Sequence, residues 1–560
     1  MKILLLHPDD SPLAGSWVEQ KWDAVYDLAR SGWAACERWS RIFGCTVKPI
    51  DGLRDGYAEI RKVRELLQYG FGRLVDREGL DWWELTSIFV HQPLENVILL
   101  RKFAEQVAPL AEVWITRDGI EAAALRQWLG TQVRVIAPLA KTGRKGPRHY
   151  LNRLRRLPGA QGLQILGDKY DAGYRVRRHF HARVSGSDEP VVLIPSSYVN
   201  MSLTGTGYAR LAPDKRFLMV STRQSGRLPD VPDNVKQGWL AAYAGDPSWE
   251  EYREIIDRWT FLKREIEGVP ELGVLLQAGL MGGFPKRFAD GLAIRNAWLG
   301  VLNVEPVEAV LCCDDSNPHT HIPLLLAKQR GLPTIACHHG AFDGRHLFKR
   351  NHADIILAKG EMEQDYLVET CGLDPSVVEI GAPNAIERAN VAHKSEGDWI
   401  VFFSEPYEMT AGRTEEIYRD VIPGLSDLAK MSGKTLVVKL HPSENLKDRQ
   451  SLMRRVVTRE QAGAIHWRTG RFGPELLERT WFGLTVQSSV AMDCLIHGAP
   501  CFLCDWLDLW PYGYIRQYRK FGVGIGLHTP QDIATIPERL AAYTSDSDVV
   551  VDCSETMSPQ

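Results

Sequence analysis

The sequence has 560 residues, with 67 Lys and Arg against 70 Asp and Glu, a formal net charge of −3 and 44% hydrophobic residues. This composition is typical of a globular protein with several domains and excludes a fibrous or wholly disordered chain. The near-neutral charge gives no overall field that would attract nucleic acid. The 10 cysteines are too few for a disulfide framework and favour a reducing compartment. Without a signal peptide or an apolar run of about 20 residues, we expect a cytoplasmic protein, either free or at the inner face of the plasma membrane.

Short apolar runs alternate with longer amphipathic segments, which predicts an α/β fold built on parallel sheets. Residues 1–140 are predicted to form an N-terminal α/β domain of unknown role, with a helix at Leu94–Val107. Its predicted strands are Ile3–Leu6, Ser87–Val90, Glu112–Thr116 and Val133–Ala137. Four aromatic residues before the second of these are predicted to lie on a helical stretch and to pack in the core: Trp17, Trp22, Tyr26 and Trp33.

Residues 141–189 are predicted to be a basic linker, because lysines and arginines accumulate there between prolines. The basic side chains without an intervening acid are Lys141, Arg144, Lys145, Arg148, Arg153, Arg155 and Arg156. A solvated connector is the simpler interpretation. The alternative is a patch for phosphates of an anionic membrane or of a lipid-linked acceptor.

Two further α/β domains are predicted at residues 190–392 and 393–546, followed by a flexible tail at 547–560. The predicted strands of the first are Val191–Ile194, Phe217–Ser221, Ala309–Cys313, Thr334–Cys337 and Ile355–Ala358. Those of the second are Trp399–Phe403, Thr435–Leu440, Phe482–Val486 and Cys501–Leu503. Most of these runs end in small, polar or charged residues, where parallel sheets gather their ligands.

The most informative motifs lie in the block at 393–546. The run Thr435–Leu440 contains Lys439 and ends in His441 and Pro442. A later run ends in Ser488 and Ser489, and a helix is predicted to begin directly after them. A hydroxyl, a helix N-terminus and a histidine on neighbouring strands together predict a phosphate receptor.

These motifs resemble those of GT-B-fold glycosyltransferases of bacterial surface and capsular polysaccharides. The HP and SS pairs are similar to those of sialyl-, polysialyl- and Kdo-transferases, whose donors are CMP-sugars, and to those of CDP-glycerol glycerophosphotransferases. The resemblance implies that His441, Ser488 and Ser489 contact the nucleotide and phosphate of the donor. It also implies a GT-B-like fold, with two Rossmann-like domains facing a cleft and the N-terminal α/β domain as an addition.

Further residues are expected at the same site. Ser404 and Glu405 follow the strand Trp399–Phe403, where GT-B enzymes often meet the donor, and Lys439 could neutralise phosphate or be an edge charge. For the catalytic base of an inverting transfer we consider Asp314, Asp315 and His339. CMP-sialic acid transferases carry an acidic-acidic-Gly motif that supplies the base, and this chain lacks it.

The expected reaction is therefore transfer of a sugar from a nucleotide-activated donor, first CMP-Kdo or a CMP-sialic-type sugar, to a surface glycan or lipid-linked glycan. We expect no nucleic-acid partner, no cofactor beyond the nucleotide-sugar, and no metal. The alternatives are a CDP-polyol phosphotransferase, a UDP-sugar 2-epimerase and a non-catalytic scaffold. A weaker one is a zinc-dependent sugar N-deacetylase, since His7-Pro8-Asp9-Asp10 resembles the start of that family.

Overall fold

The computed structural model describes residues 1–10, 17–29, 32–53, 58–136, 184–223, 226–243, 247–315, 318–338, 345–381, 397–410, 412–470, 473–507 and 515–545. Several residues singled out above lie outside this part of the chain: the basic side chains of 141–156, His339 and the tail at 547–560.

The described residues form three parallel β-sheets, each flanked by helices. The first unit contains β1 (Lys2–Leu6), β2 (Ala24–Asp27), α1 (Gly32–Phe43), β3 (Val47–Pro49), α2 (Ala58–Gln68), α3 (Trp82–Ser87), α4 (His91–Gln106), β4 (Glu112–Ile115), α5 (Ile120–Leu129) and β5 (Val133–Val135). The second unit contains β6 (Val191–Ser196), α6 (Val199–Leu211), β7 (Phe217–Ser221), β8 (Val235–Trp239), α7 (Trp249–Glu267), α8 (Pro270–Gln277), α9 (Phe284–Val304), β9 (Val307–Cys312), α10 (Pro318–Gln329), β10 (Thr334–Cys337), β11 (Ile355–Ala358), α11 (Glu361–Asp365) and β12 (Val378–Ile380). The third unit contains β13 (Trp399–Phe403), α12 (Thr414–Ser432), β14 (Thr435–Lys439), α13 (Leu446–Val456), α14 (Arg459–Ala464), β15 (His466–Arg468), α15 (Pro474–Glu478), β16 (Thr480–Thr485), α16 (Val490–Ile496), β17 (Cys501–Cys504), α17 (Ile515–Lys520), β18 (Ile525–Leu527) and α18 (Ile536–Ser545).

All three sheets are wound in the same way. Their strand orders are β3-β2-β1-β4-β5, β12-β11-β10-β9-β6-β7-β8 and β15-β14-β13-β16-β17-β18. In each sheet the first strand of the unit lies beside the fourth, so the winding reverses between β1 and β4, between β6 and β9, and between β13 and β16. Ligands of doubly wound sheets bind outside the carboxyl ends of the strands at such a switch point.

The central strands are apolar on both faces because helices cover both sides of a parallel sheet. Every residue of β13 is buried, for example. One apolar cluster extends through all three units, from Leu5 through Leu193 to Tyr518, so the units pack directly on one another. Among the described residues, no helix is long and apolar enough to cross a membrane.

The structure confirms the predicted α/β class, with two Rossmann-like domains and an additional N-terminal α/β domain. Two details in the first unit are wrong. The predicted strand at Ser87–Val90 is helical at Ser87, the end of α3, and turns into α4 at His91. Of the aromatic residues predicted to lie on a helical stretch, Tyr26 lies on β2, and Trp17 and Trp22 lie outside any helix or strand, although both are buried as expected.

Candidate functional site

The polar turns of the third sheet lie side by side at its carboxyl edge. The order β14-β13-β16 places the turn after β13 between the turns after β14 and β16. This edge therefore brings together all seven residues predicted to bind the donor: Ser404, Glu405, Lys439, His441, Pro442, Ser488 and Ser489.

The turn after β14 fixes the orientation of the His441 ring. The backbone N–H of His441 donates to Glu444 Oε2 at 2.8 Å, and the backbone N–H of Ser443 donates to His441 Nδ1 at 3.2 Å. A backbone N–H can only donate, so Nδ1 is the acceptor and the proton of the neutral ring lies on Nε2. His441 is exposed at the surface, but the desolvation that it does undergo lowers its pKa, which favours this neutral form. Pro442 beside it is exposed.

Glu444 ties this turn to the end of β13. Its side chain is fully buried, and Oε1 accepts hydrogen bonds from Ser404 Oγ at 2.8 Å and from Arg449 Nε at 2.7 Å. The Arg449 guanidinium also donates to both carboxylate oxygens of Glu408, at 2.6 and 2.9 Å. The turn is thus held by charged hydrogen bonds, which are the stronger kind.

Glu405 lies between the ends of β13 and β16. Its Oε1 accepts from the Thr485 hydroxyl and from the backbone N–H of Gln487, both at 3.0 Å. Desolvation raises the pKa of Glu405 to about 7, with the charge of Glu444 adding to it and the backbone hydrogen bonds opposing it. Near neutral pH this carboxyl can therefore both donate and accept a proton.

Lys439 is a buried cation at the same edge, not an edge charge. Its ammonium donates to the backbone oxygens of Leu440 at 2.7 Å and Gly470 at 2.9 Å. Burial lowers the pKa of Lys439. An ammonium has three N–H groups, so the two contacts among the described residues leave one for a ligand oxygen.

Ser488 and Ser489 lead into α16. Ser489 is at the predicted N-cap position, but its side chain makes no capping hydrogen bond, whereas Ser488 Oγ accepts from the backbone N–H of Val490 at 3.4 Å. The helix ends before Gly498, whose φ is +69°, as its glycine predicts. The backbone N–H of Ser488 acts on the Glu405 carboxyl, so the SS pair begins beside that residue.

At the switch point of the second sheet, Asp314 and Asp315 follow β9 and are both buried. The Asp314 carboxylate accepts from the Tyr198 hydroxyl. Asp315 Oδ1 pairs with Lys349 Nζ at 2.5 Å. Burial by itself raises the pKa of Asp315, but the charge of Lys349 outweighs it and holds that pKa far below its usual range.

Histidines surround the Asp315 carboxylate. His346 Nε2 lies 3.8 Å from Asp315 Oδ1, and His321 Nδ1 lies 3.9 Å from Oδ2. Desolvation lowers the pKa of His321 to about 3 and that of His352 to about 4, so these rings are neutral. His319, two residues from His321 on α10, points elsewhere and contacts Arg223, as helical spacing predicts. Sequence reasoning missed Lys349 because no motif marks it.

The carboxyl edge of the second sheet meets the third unit near α16. Lys359, directly after β11, acts electrostatically on Asp493 of α16. Lys520 Nζ of α17 lies 2.5 Å from Asp365 Oδ1, at the end of α11. The two Rossmann-like domains therefore approach each other along the edges that carry their polar turns.

The Asp10 carboxylate of the N-terminal turn is engaged within its own unit. Asp10 Oδ2 accepts from the His7 backbone N–H at 2.7 Å and from the Thr116 hydroxyl at 2.6 Å. Asp10 Oδ1 lies 3.4 Å from Arg117 Nε. Both carboxylate oxygens thus already have partners, and nothing in this turn favours the zinc alternative.

No protein-family model and no curated protein matches the sequence. Among solved structures, the chain is similar to the UDP-GlcNAc 2-epimerase of Methanocaldococcus jannaschii in complex with UDP-GlcNAc and UDP, with 12% identity, a TM-score of 0.38 and coverage of 63% of this chain and 92% of that one. It is similar to a single-residue variant of the wall teichoic acid polymerase TagF (12%, 0.38, 72% and 92%). It is also similar to the calicheamicin glycosyltransferase CalG4 (12%, 0.36, 64% and 91%). At these identities and TM-scores, the likeness carries no information about the reaction of this chain.

Proposed function

We propose that the chain is a glycosyltransferase that moves a sugar from a nucleotide-activated donor onto a surface polysaccharide or another glycan acceptor. The observation that carries the proposal is the single polar edge formed by the turns after β13, β14 and β16. This edge combines a buried ammonium, an imidazole N–H, serine hydroxyls and a carboxyl with a raised pKa. Phosphate and ribose hydroxyls need just these partners.

The donor would lie across the third sheet at its switch point. His441 would donate its Nε2 proton to a phosphate oxygen, and Lys439 would supply positive charge through its remaining N–H. Glu405 would accept a hydrogen bond from a ribose hydroxyl. The serines after β16 would complete the phosphate contacts. As the sugar leaves, these groups would stabilise the negative charge that develops on the nucleotide.

The second sheet would supply the base for the acceptor hydroxyl. Asp315 is poorly suited to that role, because its pairing with Lys349 holds its pKa far below its usual range and makes it a weak proton acceptor. We assign Asp315 to fixing Lys349 and keep Asp314 and His339 as the two bases to compare. The variants Asp314→Asn and His339→Asn separate them, since each removes one proton acceptor with little change in size.

The choice of donor rests on the HP and SS motifs alone. They favour CMP-Kdo or a CMP-sialic-type sugar. CDP-polyols and UDP-sugars remain the alternatives, because contacts with the phosphate do not distinguish cytosine from uracil. The acceptor is expected to be a glycan or a lipid-linked glycan.

Thermal unfolding with CMP, CDP, UDP and GDP tests the proposal. A ligand at about 100 times its dissociation constant stabilises the folded state by roughly 2.7 kcal/mol. His441→Ala should abolish most of that gain. His466→Ala is the matched control, since His466 is exposed on the edge strand β15 of the same sheet.

Stabilisation by CMP that is lost in His441→Ala and kept in His466→Ala would support the proposal. A preference for CDP or UDP would retain the site and replace the donor. No response of the wild-type protein to any nucleotide would contradict the proposal.

A further inference from the structure

We propose that the N-terminal unit, residues 1–136, is a positioning domain that fixes the second and third units relative to each other at the candidate site. Glu84 binds loop 345–352 of the second unit, a set of contacts that we call the first grip. Asp27 binds the connection between β13 and α12, which we call the second grip. This inference rests on the proposed function for its effect on turnover, whereas the grip itself is independent of any reaction.

The first grip is a set of hydrogen bonds to one buried carboxylate. Glu84, on α3, is 5% exposed. Its Oε1 accepts from the backbone N–H groups of Arg350 and Asn351, both at 2.8 Å, and its Oε2 accepts from Asn351 Nδ2 at 2.6 Å. The His91 ring contacts the Phe348 ring, with centroids 5.0 Å apart. The first unit therefore binds loop 345–352 by both polar and aromatic contacts.

This loop carries the cation of the second switch point. Lys349 immediately precedes the two residues that Glu84 holds, and its ammonium pairs with Asp315. Within the described residues the loop contains no strand: Arg345–Phe348 is a short 3-10 helix. One further contact from the second unit reaches its end, where Lys328 Nζ donates to the backbone oxygen of His352 at 2.9 Å. Glu84 is therefore a positioning residue that acts through Lys349.

The second grip is a buried guanidinium. Arg413, which immediately precedes α12, is 4% exposed. It donates to Asp27 Oδ2 at 2.5 Å and to the backbone oxygen of His7 at 2.8 Å, and it lies over the Trp39 ring at 5.1 Å. Asp27 and His7 stand at the carboxyl ends of neighbouring strands of the first sheet, the edge where such sheets usually take a ligand. Here that edge receives a side chain of the third unit.

The connection that ends at Arg413 begins with the candidate donor residues. Ser404 and Glu405 open it directly after β13. An ion pair between Arg38 and Asp420 adds a second link between α1 and α12. The N-terminal unit is thus bound to the segment that carries Lys349 in the second unit and to the segment that carries Glu405 in the third.

Reversing the polarity of the Glu84 contact tests the first grip. Glu84→Gln places an amide N–H₂ against that of Asn351, and Asn351→Asp places two carboxylates together. The double variant restores one donor and one acceptor. Glu78→Gln is the control, since Glu78 is an exposed carboxylate in the same unit.

Hydrogen exchange and steady-state kinetics are the readouts. Asn351→Asp should speed exchange at the amides of positions 350 and 351 by about tenfold, the factor expected from one lost hydrogen bond. Glu84→Gln should speed it less, because its amide oxygen still accepts from both backbone N–H groups. Turnover should fall by about tenfold while the dissociation constant of the nucleotide stays within about twofold, because a positioning group acts on geometry rather than on donor binding. The double variant should recover both within about threefold.

Asp27→Asn should weaken nucleotide binding, which the Glu84 and Asn351 variants leave nearly unchanged. It loosens Arg413 and hence the donor-side connection, so it should raise the dissociation constant of the nucleotide by about tenfold. Unchanged exchange in Asn351→Asp, or a double variant no better than the worse single one, would overturn the proposal. If the single variants do not fold, recovery of folding in the double variant supports the grip and its failure overturns it. A wild-type chain that binds no nucleotide overturns the proposed function, and the exchange rates still decide the grip.

Discussion

His7 and His441 open two turns that share one hydrogen-bonding pattern. In both, the backbone N–H of the histidine donates to the carboxylate three residues later, at 2.7 Å to Asp10 and 2.8 Å to Glu444. In both, the second residue after the histidine donates its N–H to Nδ1, at 3.1 and 3.2 Å. The surroundings differ, because His7 lies 3.9 Å from both Asp9 and Glu121, whereas His441 lies beside the buried ammonium of Lys439. The turn is a way to orient an imidazole, and its neighbours decide what that imidazole can bind.

Glu444→Gln should therefore affect both stability and ligand binding. The change removes a buried anion that accepts from Arg449 and should cost about 1–3 kcal/mol of unfolding free energy. Nucleotide affinity should fall, because the His441 ring loses its fixed orientation. Asp10→Asn, the same change in the N-terminal turn, should destabilise by a similar amount without altering nucleotide affinity. Denaturant titration and nucleotide titration measure the two effects, and an equal loss of affinity in both variants would contradict the assignment.

Glu405→Gln should change how stability depends on pH. Burial raises the pKa of Glu405 from 4.5 to about 7, so the folded state favours the protonated carboxyl. The stabilisation is complete below the ordinary pKa and is lost as the pH rises through about 7. The amide stays neutral, so the melting temperature of the variant should gain on that of the wild type between about pH 5 and pH 8. A constant difference across that range would rule out a raised pKa.

The Asp315–Lys349 pair should show strong coupling. Asp315→Asn or Lys349→Met leaves one buried charge without its partner, which costs about 3–5 kcal/mol. The double variant removes both charges and should be more stable than either single variant. Urea unfolding of the four proteins gives the coupling energy. Additive losses would mean that the two groups do not interact.

Gly291→Ala should weaken the packing of the first unit on the second. A Cβ at Gly291 of α9 would lie 2.2 Å from the Trp82 ring of α3. Overpacking of this kind costs about 1–3 kcal/mol. Gly463→Ala is the matched control, since its Cβ would meet no atom within 4 Å and alanine favours a helix by up to about 1 kcal/mol. Thermal unfolding should move in opposite directions for the two variants.

The sequence was sufficient to locate the central strands. Phe217–Ser221, Thr334–Cys337, Ile355–Ala358 and Trp399–Phe403 match the structure residue for residue. Such runs are apolar on both faces and need no partner to be recognised. The short run at Ser87–Val90 fails for a related reason: four apolar or small residues cannot distinguish a strand from a buried helix end.

The strands that pattern reading overlooked are at or near sheet edges. β8 reads Val-Lys-Gln-Gly-Trp and β15 reads His-Trp-Arg, and both are partly exposed. Without a continuous apolar run, such segments resemble loops. The donor-side residues were accessible to sequence reasoning because each lies at the carboxyl end of a strand or within a few residues of it. Glu84 and Lys349 were not, because the partner of each lies in another element. Asn351 is 267 positions from Glu84, and Asp315 is 34 positions from Lys349.

The Asp27–Arg413 contact spans 386 positions. A ribosome adding about 5–20 residues per second would need roughly 20–80 s to reach the arginine after it has made the aspartate. Throughout that interval Arg413 does not yet exist, and Asp27 of the nascent N-terminal unit cannot make this contact. Its docking is therefore a late step of biosynthesis, and one that reports that the third unit has been made.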